Sequence, residues 1–192
     1  NKITILMATY NGAKYLKDQL ESIRLQDFTD WQLIISDDIS TDDSRLLIKS
    51  YINDHPYLDI KLVEGSGRGF CYNFFSMLSE VSTDYFCFCD QDDIWLPNKL
   101  NHSIEVLEQY DCAALYCSPT IIVDFLGNHI GTSPIFSRKP SFKNALIQSI
   151  AGGNTMVFNS KALDILNLAY DSDHLPISHD WWCYQVISGT GG

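Results

Sequence analysis

Three carboxylates lie within four residues in the segment Asp90-Gln-Asp-Asp93, which directly follows an apolar run. Carboxylates this close repel one another and are costly beside a buried strand unless a cation or hydrogen-bond donors compensate them. The segment is not an EF-hand, because Ile94 and Trp95 stand where that loop needs Asp or Asn and then Gly. A divalent ion fits, held by one or two carboxylates, with ligand phosphates and water at its other positions. The alternative is a helix N-cap cluster ahead of Pro97.

Two more polar segments follow earlier apolar runs, namely Thr9-Tyr-Asn-Gly12 and the pair Asp37-Asp38. A carboxylate at the end of a strand, before the next helix begins, can accept hydrogen bonds from a ligand. One of the two aspartates could therefore bind a base or a ribose.

A glycine-rich loop, Gly65-Ser-Gly-Arg-Gly69, lies between a predicted strand and a predicted helix. It is not the dinucleotide fingerprint, because Phe70 occupies the position of the third glycine. Two interpretations remain open at this point. The loop is either a plain tight turn or an anion contact, in which backbone N–H groups and Arg68 would meet a phosphate.

The segment His179-Asp180-Trp181-Trp182 is the last cluster of chemically capable side chains. A carboxylate beside a histidine and two indoles can act as a general base in a partly dry pocket, with aromatic faces that suit a sugar. In the alternative interpretation both tryptophans belong to the core and Asp180 caps a helix. The local sequence favours neither.

The chain has 192 residues, 13 basic and 24 acidic side chains, and a net charge of −11. Of the acids, 19 are Asp and 5 are Glu. Asp favours caps, turns and oxygen-ligand sites, so these carboxylates are expected to act locally. The negative charge argues against binding nucleic acid through a basic face, and an anionic ligand would need a metal ion.

Short β-branched and aromatic runs alternate with amphipathic stretches, a pattern that predicts strand–helix units around a mostly parallel sheet. The predicted strands cover residues 3–8, 33–36, 60–63, 85–89, 113–117 and 155–158. The predicted helices cover residues 13–26, 69–80, 97–110, 141–150 and 160–168. Open parallel sheets bind ligands at the carboxyl ends of their strands, so the early polar segments are predicted to form one site.

We expect a single domain over residues 1–192, with a regular half, 1–118, and an irregular half, 119–192, that Pro and Gly break into short pieces. The 6 cysteines form no C-x-x-C pair, and several lie in apolar runs, which is typical of reduced thiols. No run is long enough for a membrane helix and no signal pattern begins the chain, so we expect a cytoplasmic protein.

The ordered set of motifs resembles the family 2 glycosyltransferases of the GT-A fold. The resemblance covers nearly the whole chain and is carried by Ile5-Leu-Met-Ala-Thr-Tyr-Asn-Gly12, Leu20-Glu-Ser-Ile23, Ile35-Ser-Asp-Asp-Ile-Ser-Thr-Asp42, 69–73, Asp90-Gln-Asp-Asp93, Gly152-Gly-Asn154 and His179-Asp180. The last two acidic motifs, with their tryptophans, resemble the rhamnosyltransferase-like branch that builds bacterial surface polysaccharides. The implied fold class is α/β, with a Rossmann-like, mostly parallel sheet flanked by helices and an irregular second half forming the acceptor side.

This resemblance implies an enzyme that uses a nucleotide-sugar donor, UDP- or dTDP-linked, lying across the carboxyl edge of the sheet. The base would lie near Ala8, Thr9 and Tyr10, and Asp38 would read the pyrimidine. The other donor-side candidates are Asn11, Asp37, Asn73, Asp90 and Gln91.

The resemblance also implies Mn²⁺ or Mg²⁺ bridging the donor diphosphate. Asp92 and Asp93 are favoured for the metal side and Asp90 for the donor, although the three compete for these roles. The mechanism of the family is inverting displacement, in which Asp180 would take the proton from the acceptor hydroxyl.

The acceptor-side candidates are Gly153, Asn154, His179, Trp181 and Trp182. The acceptor would be a saccharide or a lipid-linked saccharide, which would allow peripheral association with the inner face of the membrane through segments absent here. Family members are commonly longer, so we expect the acceptor half to be truncated at its C-terminus. The common form of the last motif has Glu where this chain has His179, so a role for that position does not transfer.

Two other functions remain open on the sequence. A non-catalytic nucleotide-sugar-binding module on the same fold would bind nucleotide without transferring a sugar. A glycoside hydrolase with a carboxylate pair would cleave glycans without a donor. The nucleotide-type segments after the strands argue against the hydrolase.

Overall fold

The computed structural model describes residues 2–124, 126–136, 139–174 and 176–191. In chain order the elements are β1 (Ile3–Thr9), α1 (Leu16–Arg24), β2 (Trp31–Asp37), α2 (Ser44–Asp54), β3 (Ile60–Glu64), α3 (Phe70–Ser76), β4 (Tyr85–Cys89), α4 (Lys99–Leu107), β5 (Leu115–Tyr116), β6 (Ile121–Val123), β7 (His129–Thr132), α5 (Phe142–Ala145), β8 (Val157–Asn159), α6 (Ser160–Ala169) and α7 (His179–Gly189). Short 3₁₀ turns lie at Leu78–Glu80 and Gly153–Thr155.

The central sheet has six strands in the order β3-β2-β1-β4-β8-β5. β1 pairs in parallel with β2 on one side and with β4 on the other, and β2 pairs in parallel with β3. β8 runs antiparallel to both β4 and β5. The mostly parallel α/β sheet that the sequence predicts is therefore confirmed.

The register of the sheet brings the ends of its first strands together. Thr9, the last residue of β1, pairs with Asp37 of β2, and Asp37 pairs with Glu64 of β3. On the other side of β1, Met7 pairs with Cys89, the last residue of β4. The loops after these four strands consequently leave from one edge, which is where the polar segments lie.

Two hydrophobic clusters, one on each face of the sheet, hold the helices against it. Alternate residues of β1 belong to different clusters: Ile5 packs with α1, α2 and α4, whereas Leu6 packs with α3, α6 and α7. All seven residues of β1 are buried, as expected for a strand covered on both faces. Cys87 and Cys89 are fully buried free thiols in the first cluster and behave there as small apolar side chains.

The predicted helix over residues 141–150 is wrong in extent, since the observed helix α5 covers only Phe142–Ala145. The side chains of Leu146 and Ile147, which follow the helix, are 60% and 75% exposed. Continuing the helix through these two residues would bury no apolar surface, and helices in proteins gain most of their stability from packing an apolar face.

The irregular second half also contains a hairpin, β6–β7, that the sequence analysis did not predict. All three residues of β6 are exposed, so the strand has no buried face and does not produce the alternation of apolar and polar residues that predicts a strand. Within the ranges given above, no helix is both long and apolar enough to cross a membrane.

We expect Leu166→Ala to lower the free energy of unfolding by about 2–5 kcal/mol, because Leu166 is fully buried between α6 and the sheet and its loss leaves a cavity. Leu168→Ala in the same helix is the matched control. Leu168 is 90% exposed, so its change should stay within about 0.5 kcal/mol. Urea denaturation of both variants measures the difference, and equal losses would contradict the assigned packing of α6.

Candidate active site

A cavity of about 490 Å³ opens at the carboxyl edge of the sheet. It is lined by Ala8, Thr9, Tyr10, Asp38, Gly67, Gly69, Phe70, Asn73, Phe74, Asp90, Gln91 and Asp92. Seven of the nine donor-side candidates line this cavity, and the loops after β1, β2, β3 and β4 all contribute to it. Its volume is within the usual range for a small-molecule site.

Asp38 binds the glycine loop to the end of β2. Its carboxylate, in a residue only 7% exposed, accepts hydrogen bonds from the Gly67 N–H to Oδ1 at 2.7 Å and from the Gly69 N–H to Oδ2 at 2.9 Å. Gly67 and Gly69 have φ angles of 71° and 90°, a region that glycine enters without strain. Two N–H groups of the loop are thus already bound to Asp38, which favours the tight-turn interpretation over an anion contact.

Gln91 connects the loops after β4 and β1. Its Oε1 accepts hydrogen bonds from the Thr9 hydroxyl at 2.8 Å and from the Tyr10 N–H at 2.9 Å, and its Nε2 donates to the Tyr10 carbonyl at 3.2 Å. A Cβ at Gly12 would lie 2.2 Å from Gln91 Oε1, so a larger residue here would displace the Gln91 side chain from these hydrogen bonds. The two loops that would frame the base and the ribose are therefore held in one arrangement.

Asn73 forms a buried part of the cavity wall. It is 1% exposed; its Nδ2 donates to the Ser36 carbonyl at 2.8 Å, and its Oδ1 accepts the hydroxyl of the same serine. Asn73 therefore anchors α3 to β2 beside the cavity.

Asn11 and Asp37 do not line the cavity. Asn11 Oδ1 accepts the N–H of Thr41 at 2.8 Å, and Asn11 N–H donates to Ser40 Oγ at 2.9 Å. Asp37 is fully buried, and its Oδ1 accepts the Ser40 N–H at 3.1 Å and lies 3.3 Å from Arg45 Nη1. Both residues hold the β2–α2 loop in place, and their direct contact with a donor stays a prediction.

The acidic segment begins with a carboxyl group whose charge is strongly disfavoured. Burial raises the pKa of Asp90 to about 7, and the carboxylates of Asp93, Asp92 and Asp180 act in the same direction. Asp180 is distant in sequence, but its neighbour His179 meets Phe88, two residues before Asp90, at a ring-centroid distance of 5.0 Å. Because α4 begins after Asn98, the acidic segment does not cap it, and the N-cap interpretation is wrong.

Asp93 has partners that Asp90 lacks. Asn154 Nδ2 donates to Asp93 Oδ2 at 2.6 Å, and Lys99 Nζ donates to the Asn154 carbonyl at 3.0 Å. Burial raises the pKa of Asp93, the Asn154 hydrogen bond lowers it, the charge of Asp92 raises it and that of Lys99 lowers it. The 3₁₀ turn Gly153–Thr155 is in this way joined to the acidic segment.

The donor set fits a hard divalent cation. No group of three His, Cys, Asp or Glu side chains in the described parts of the chain is arranged to hold a metal ion. Such a cage is not required, since Mg²⁺ is usually bound by one or two carboxylates together with substrate phosphates and water. Asp92 is exposed at the cavity, Asp93 is partly exposed, and the mutual repulsion of the cluster is what a cation would relieve.

Asp180 lies in the first turn of α7. Its Oδ1 accepts the Trp181 N–H at 2.7 Å and also the hydroxyl of Ser178. The partly buried carboxylate is thereby oriented through one oxygen. The helix N-terminus favours its negative charge.

His179 is buried in an aromatic cage. It is 5% exposed; its ring stacks on Phe74 with centroids 4.3 Å apart and meets Phe88 edge-on at 5.0 Å. Burial lowers the pKa of His179 to about 4, so the ring is neutral at pH 7. A Cβ at Gly153 would lie 2.4 Å from His179 Nε2, so this neighbour must be glycine. The pair packs α7 against the 3₁₀ turn.

The two tryptophans belong to the packing of α7. Trp181 Nε1 donates to the Ala145 carbonyl at 2.6 Å, and Trp182 meets Phe75 edge-on at 5.1 Å. Both are partly buried against the second cluster. These contacts favour the core interpretation, and contact with an acceptor stays a prediction for both residues.

Sequence reasoning missed three residues of the site. Phe70 and Phe74 line the cavity, and Lys99 lies behind the acidic segment. The only signal for the phenylalanines is their position at the start of a helix that follows the glycine loop. Lys99 has no signal of its own, because its role depends on the fold bringing Asn154 to it.

We expect Asp90→Asn to raise the free energy of unfolding at pH 8, without metal, by on the order of 1–3 kcal/mol. The unfolded chain releases the Asp90 proton near pH 3.8, whereas the folded chain keeps it up to about pH 7. The folded state thus binds more protons in this window, and its stability falls as pH rises. The advantage of the variant should shrink between pH 7 and pH 4.

Denaturant unfolding at several pH values measures this difference. Asp164→Asn, at an exposed position of α6, is the control and should show no such dependence. An Asp90→Asn curve parallel to that of the unchanged chain would contradict the assigned repulsion.

We expect Asp38→Asn to loosen the glycine loop, because an amide offers one acceptor oxygen to the two N–H groups of Gly67 and Gly69. A hydrogen bond to a charged acceptor contributes about 1.5–3 kcal/mol, so its loss should leave the loop less firmly held. Amide hydrogen exchange at these two glycines should become faster. Asp43→Asn, at an exposed N-cap residue without a side-chain cap, should leave their exchange unchanged.

The family model described as Glycosyl transferase family 2 matches residues 4–165. The dTDP-rhamnosyl transferase RfbG of Shigella flexneri is 35% identical over 109 residues, which cover 53% of this chain and 36% of that protein. The chain thus spans little more than a third of the length of this relative.

Two solved structures share the fold. S. aureus TarS 1-349 matches with a TM-score of 0.72 at 20% identity, covering 98% of this chain and 55% of that one, and TarS has also been solved with UDP-GlcNAc. The mannosyltransferase PcManGT from Pyrobaculum calidifontis, in complex with GDP-Man and Mn²⁺, matches with a TM-score of 0.65 at 21% identity, covering 86% and 46%. These likenesses confirm the predicted GT-A fold. Together with the match of the family model over most of the chain, they show that the chain belongs to glycosyl transferase family 2.

Proposed function

We propose that this chain is the catalytic domain of a metal-dependent, inverting glycosyltransferase. It transfers a sugar from a UDP- or dTDP-linked donor to a hydroxyl of a saccharide or lipid-linked saccharide in cell-surface polysaccharide synthesis. The observation that carries the proposal is that α7 begins beside the end of β4. The ring of His179, the neighbour of Asp180, meets Phe88 at a centroid distance of 5.0 Å, and Asp90 follows Phe88 by two residues. A general base and a metal-binding segment in the same site suit a displacement reaction.

The donor nucleotide occupies the cavity at the carboxyl edge. Asp38 and Asn73 line it on one side, and the Thr9–Gln91 pair lines it on the other. The structure of TarS with UDP-GlcNAc and that of PcManGT with GDP-Man support a nucleotide-sugar on this fold. The name of the relative RfbG supports dTDP-rhamnose as one donor to test.

Asp92 and Asp93 would hold Mn²⁺ or Mg²⁺, and Asp90 lies on the donor side of them. A bound ion would supply positive charge beside the diphosphate leaving group. The Mn²⁺ in the PcManGT complex supports this assignment. Asn154 holds the Asp93 carboxylate in place through its hydrogen bond to Oδ2 at 2.6 Å.

Asp180 is the general base of the reaction. It takes the proton of the acceptor hydroxyl while the acceptor oxygen forms a bond to the anomeric carbon and the bond to the diphosphate oxygen breaks. Attack from the face opposite the leaving group inverts the anomeric configuration. The bonds from Ser178 and Trp181 hold one carboxylate oxygen, which leaves the other for the acceptor.

We expect Asp180→Asn to lower the rate of sugar transfer by about 10²- to 10⁴-fold without changing donor affinity. The amide oxygen can still accept the Trp181 N–H, so the start of α7 is preserved, but the amide cannot take a proton. Transfer from radiolabelled UDP- and dTDP-sugars to bacterial glycan acceptors measures the rate, and calorimetry measures donor binding. Asp164→Asn is the control for a loss of surface charge.

Thermal-shift measurements with UDP-, GDP- and dTDP-sugars, with and without Mn²⁺, identify the donor. A normal rate of sugar transfer by Asp180→Asn would show that Asp180 is not the general base. A chain that binds a nucleotide-sugar but neither transfers nor hydrolyses it is the non-catalytic binding module. The absence of a shift with any nucleotide would contradict the proposed function.

A further inference from the structure

Lys99 is a partly buried cation close to the acidic segment, and the proposed chemistry leaves it without a role. It is the first residue of α4, its Nζ lies 4.7 Å from the centre of the Trp95 ring, and it donates to the Asn154 carbonyl at 3.0 Å. A buried lysine needs such partners, because desolvation of the ammonium group is costly.

The contacts of Lys99 form a short chain that ends at a proposed metal ligand. Lys99 holds the backbone of Asn154, and the Asn154 side chain holds Asp93 Oδ2 at 2.6 Å. Asp93 lies in the loop that leads from β4 into α4 and Lys99 begins that helix, whereas Asn154 comes from the 3₁₀ turn, more than 50 residues further along the chain. Lys99 consequently fixes the backbone of the 3₁₀ turn at Asn154, and the Asn154 side chain fixes Asp93.

We propose that Lys99 is a positioning residue of the transfer site, acting through Asn154 to hold Asp93 in the orientation that binds the metal ion. The inference rests on the metal site of the proposed function. Partners that orient metal ligands through hydrogen bonds commonly change metal affinity by 10- to 100-fold when they are removed.

The charge of Lys99 also acts on Asp93 directly, lowering the pKa of that carboxyl, and the effect of removing the Asn154 amide separates the two routes. In the positioning route, the ammonium group fixes the turn, and the Asn154 amide carries the effect to the carboxylate. Removal of the amide should then make Asp93 insensitive to Lys99. In the direct route, Lys99 and Asn154 act independently.

The test is a double-mutant cycle of Lys99→Met, Asn154→Ala and both together in the full chain. Methionine keeps the length of the apolar stem and removes the ammonium group. The readout is the affinity for Mn²⁺ alone, measured from the signal of the free ion by electron paramagnetic resonance. We expect each single variant to bind Mn²⁺ about 10-fold more weakly, and the double variant to bind no more weakly than Asn154→Ala.

A second readout needs no ligand. Amide hydrogen exchange in the turn Gly153–Thr155 should become faster in Lys99→Met, because the Asn154 carbonyl loses its donor. Lys49→Met, at an exposed lysine of α2, is the matched control and should change neither readout.

The outcomes are distinct. Losses that multiply in the double variant would overturn the positioning route, as would unchanged exchange in the turn. A chain that binds no Mn²⁺ would overturn the inference together with its metal site. Failure of sugar transfer alone, with the Mn²⁺ cycle as expected, would contradict the proposed reaction and leave the role of Lys99 supported.

Discussion

The concentration of negative charge at the end of one buried strand is the constraint on which the rest of the site depends. Asp90 follows β4 directly, and burial together with three neighbouring carboxylates raises its pKa to about 7. Such repulsion opposes folding, and it persists only because the surrounding sheet is well packed. β4 lies between β1 and β8, with Cys87 and Phe88 fully buried on its two faces. A well-packed core thus supports a cluster of carboxylates whose mutual repulsion a bound cation would relieve.

The loops around this charge are held by side-chain to backbone hydrogen bonds. Asp38 closes the glycine loop, Gln91 joins the loops after β1 and β4, and Asn11 joins the loops after β1 and β2. Each of these polar side chains binds a backbone N–H of a loop distant in sequence. A site organised before ligand arrival spends less of the binding free energy on ordering its own loops.

Several of these features could be predicted from the residues alone. Strands such as β1 and β4 are short, apolar and bounded by polar turns, so their positions follow from the pattern. The helix over residues 141–150 was overestimated because periodicity does not reveal whether a partner surface exists for Leu146 and Ile147. Asp37 and Asp38 look alike in the sequence, yet one lies buried beside Arg45 and the other lines the cavity.

The sequence by itself determined the order of the polar segments, the mostly parallel sheet and the local excess of Asp, because these depend on neighbouring residues and on strand direction. Only the tertiary structure decided which of the separated side chains meet. Asp180 approaches Asp90, and Lys99 reaches Asp93 through Asn154, because α7 and the 3₁₀ turn pack beside the end of β4. That packing follows from the shape of two hydrophobic clusters, and no local pattern of residues encodes it.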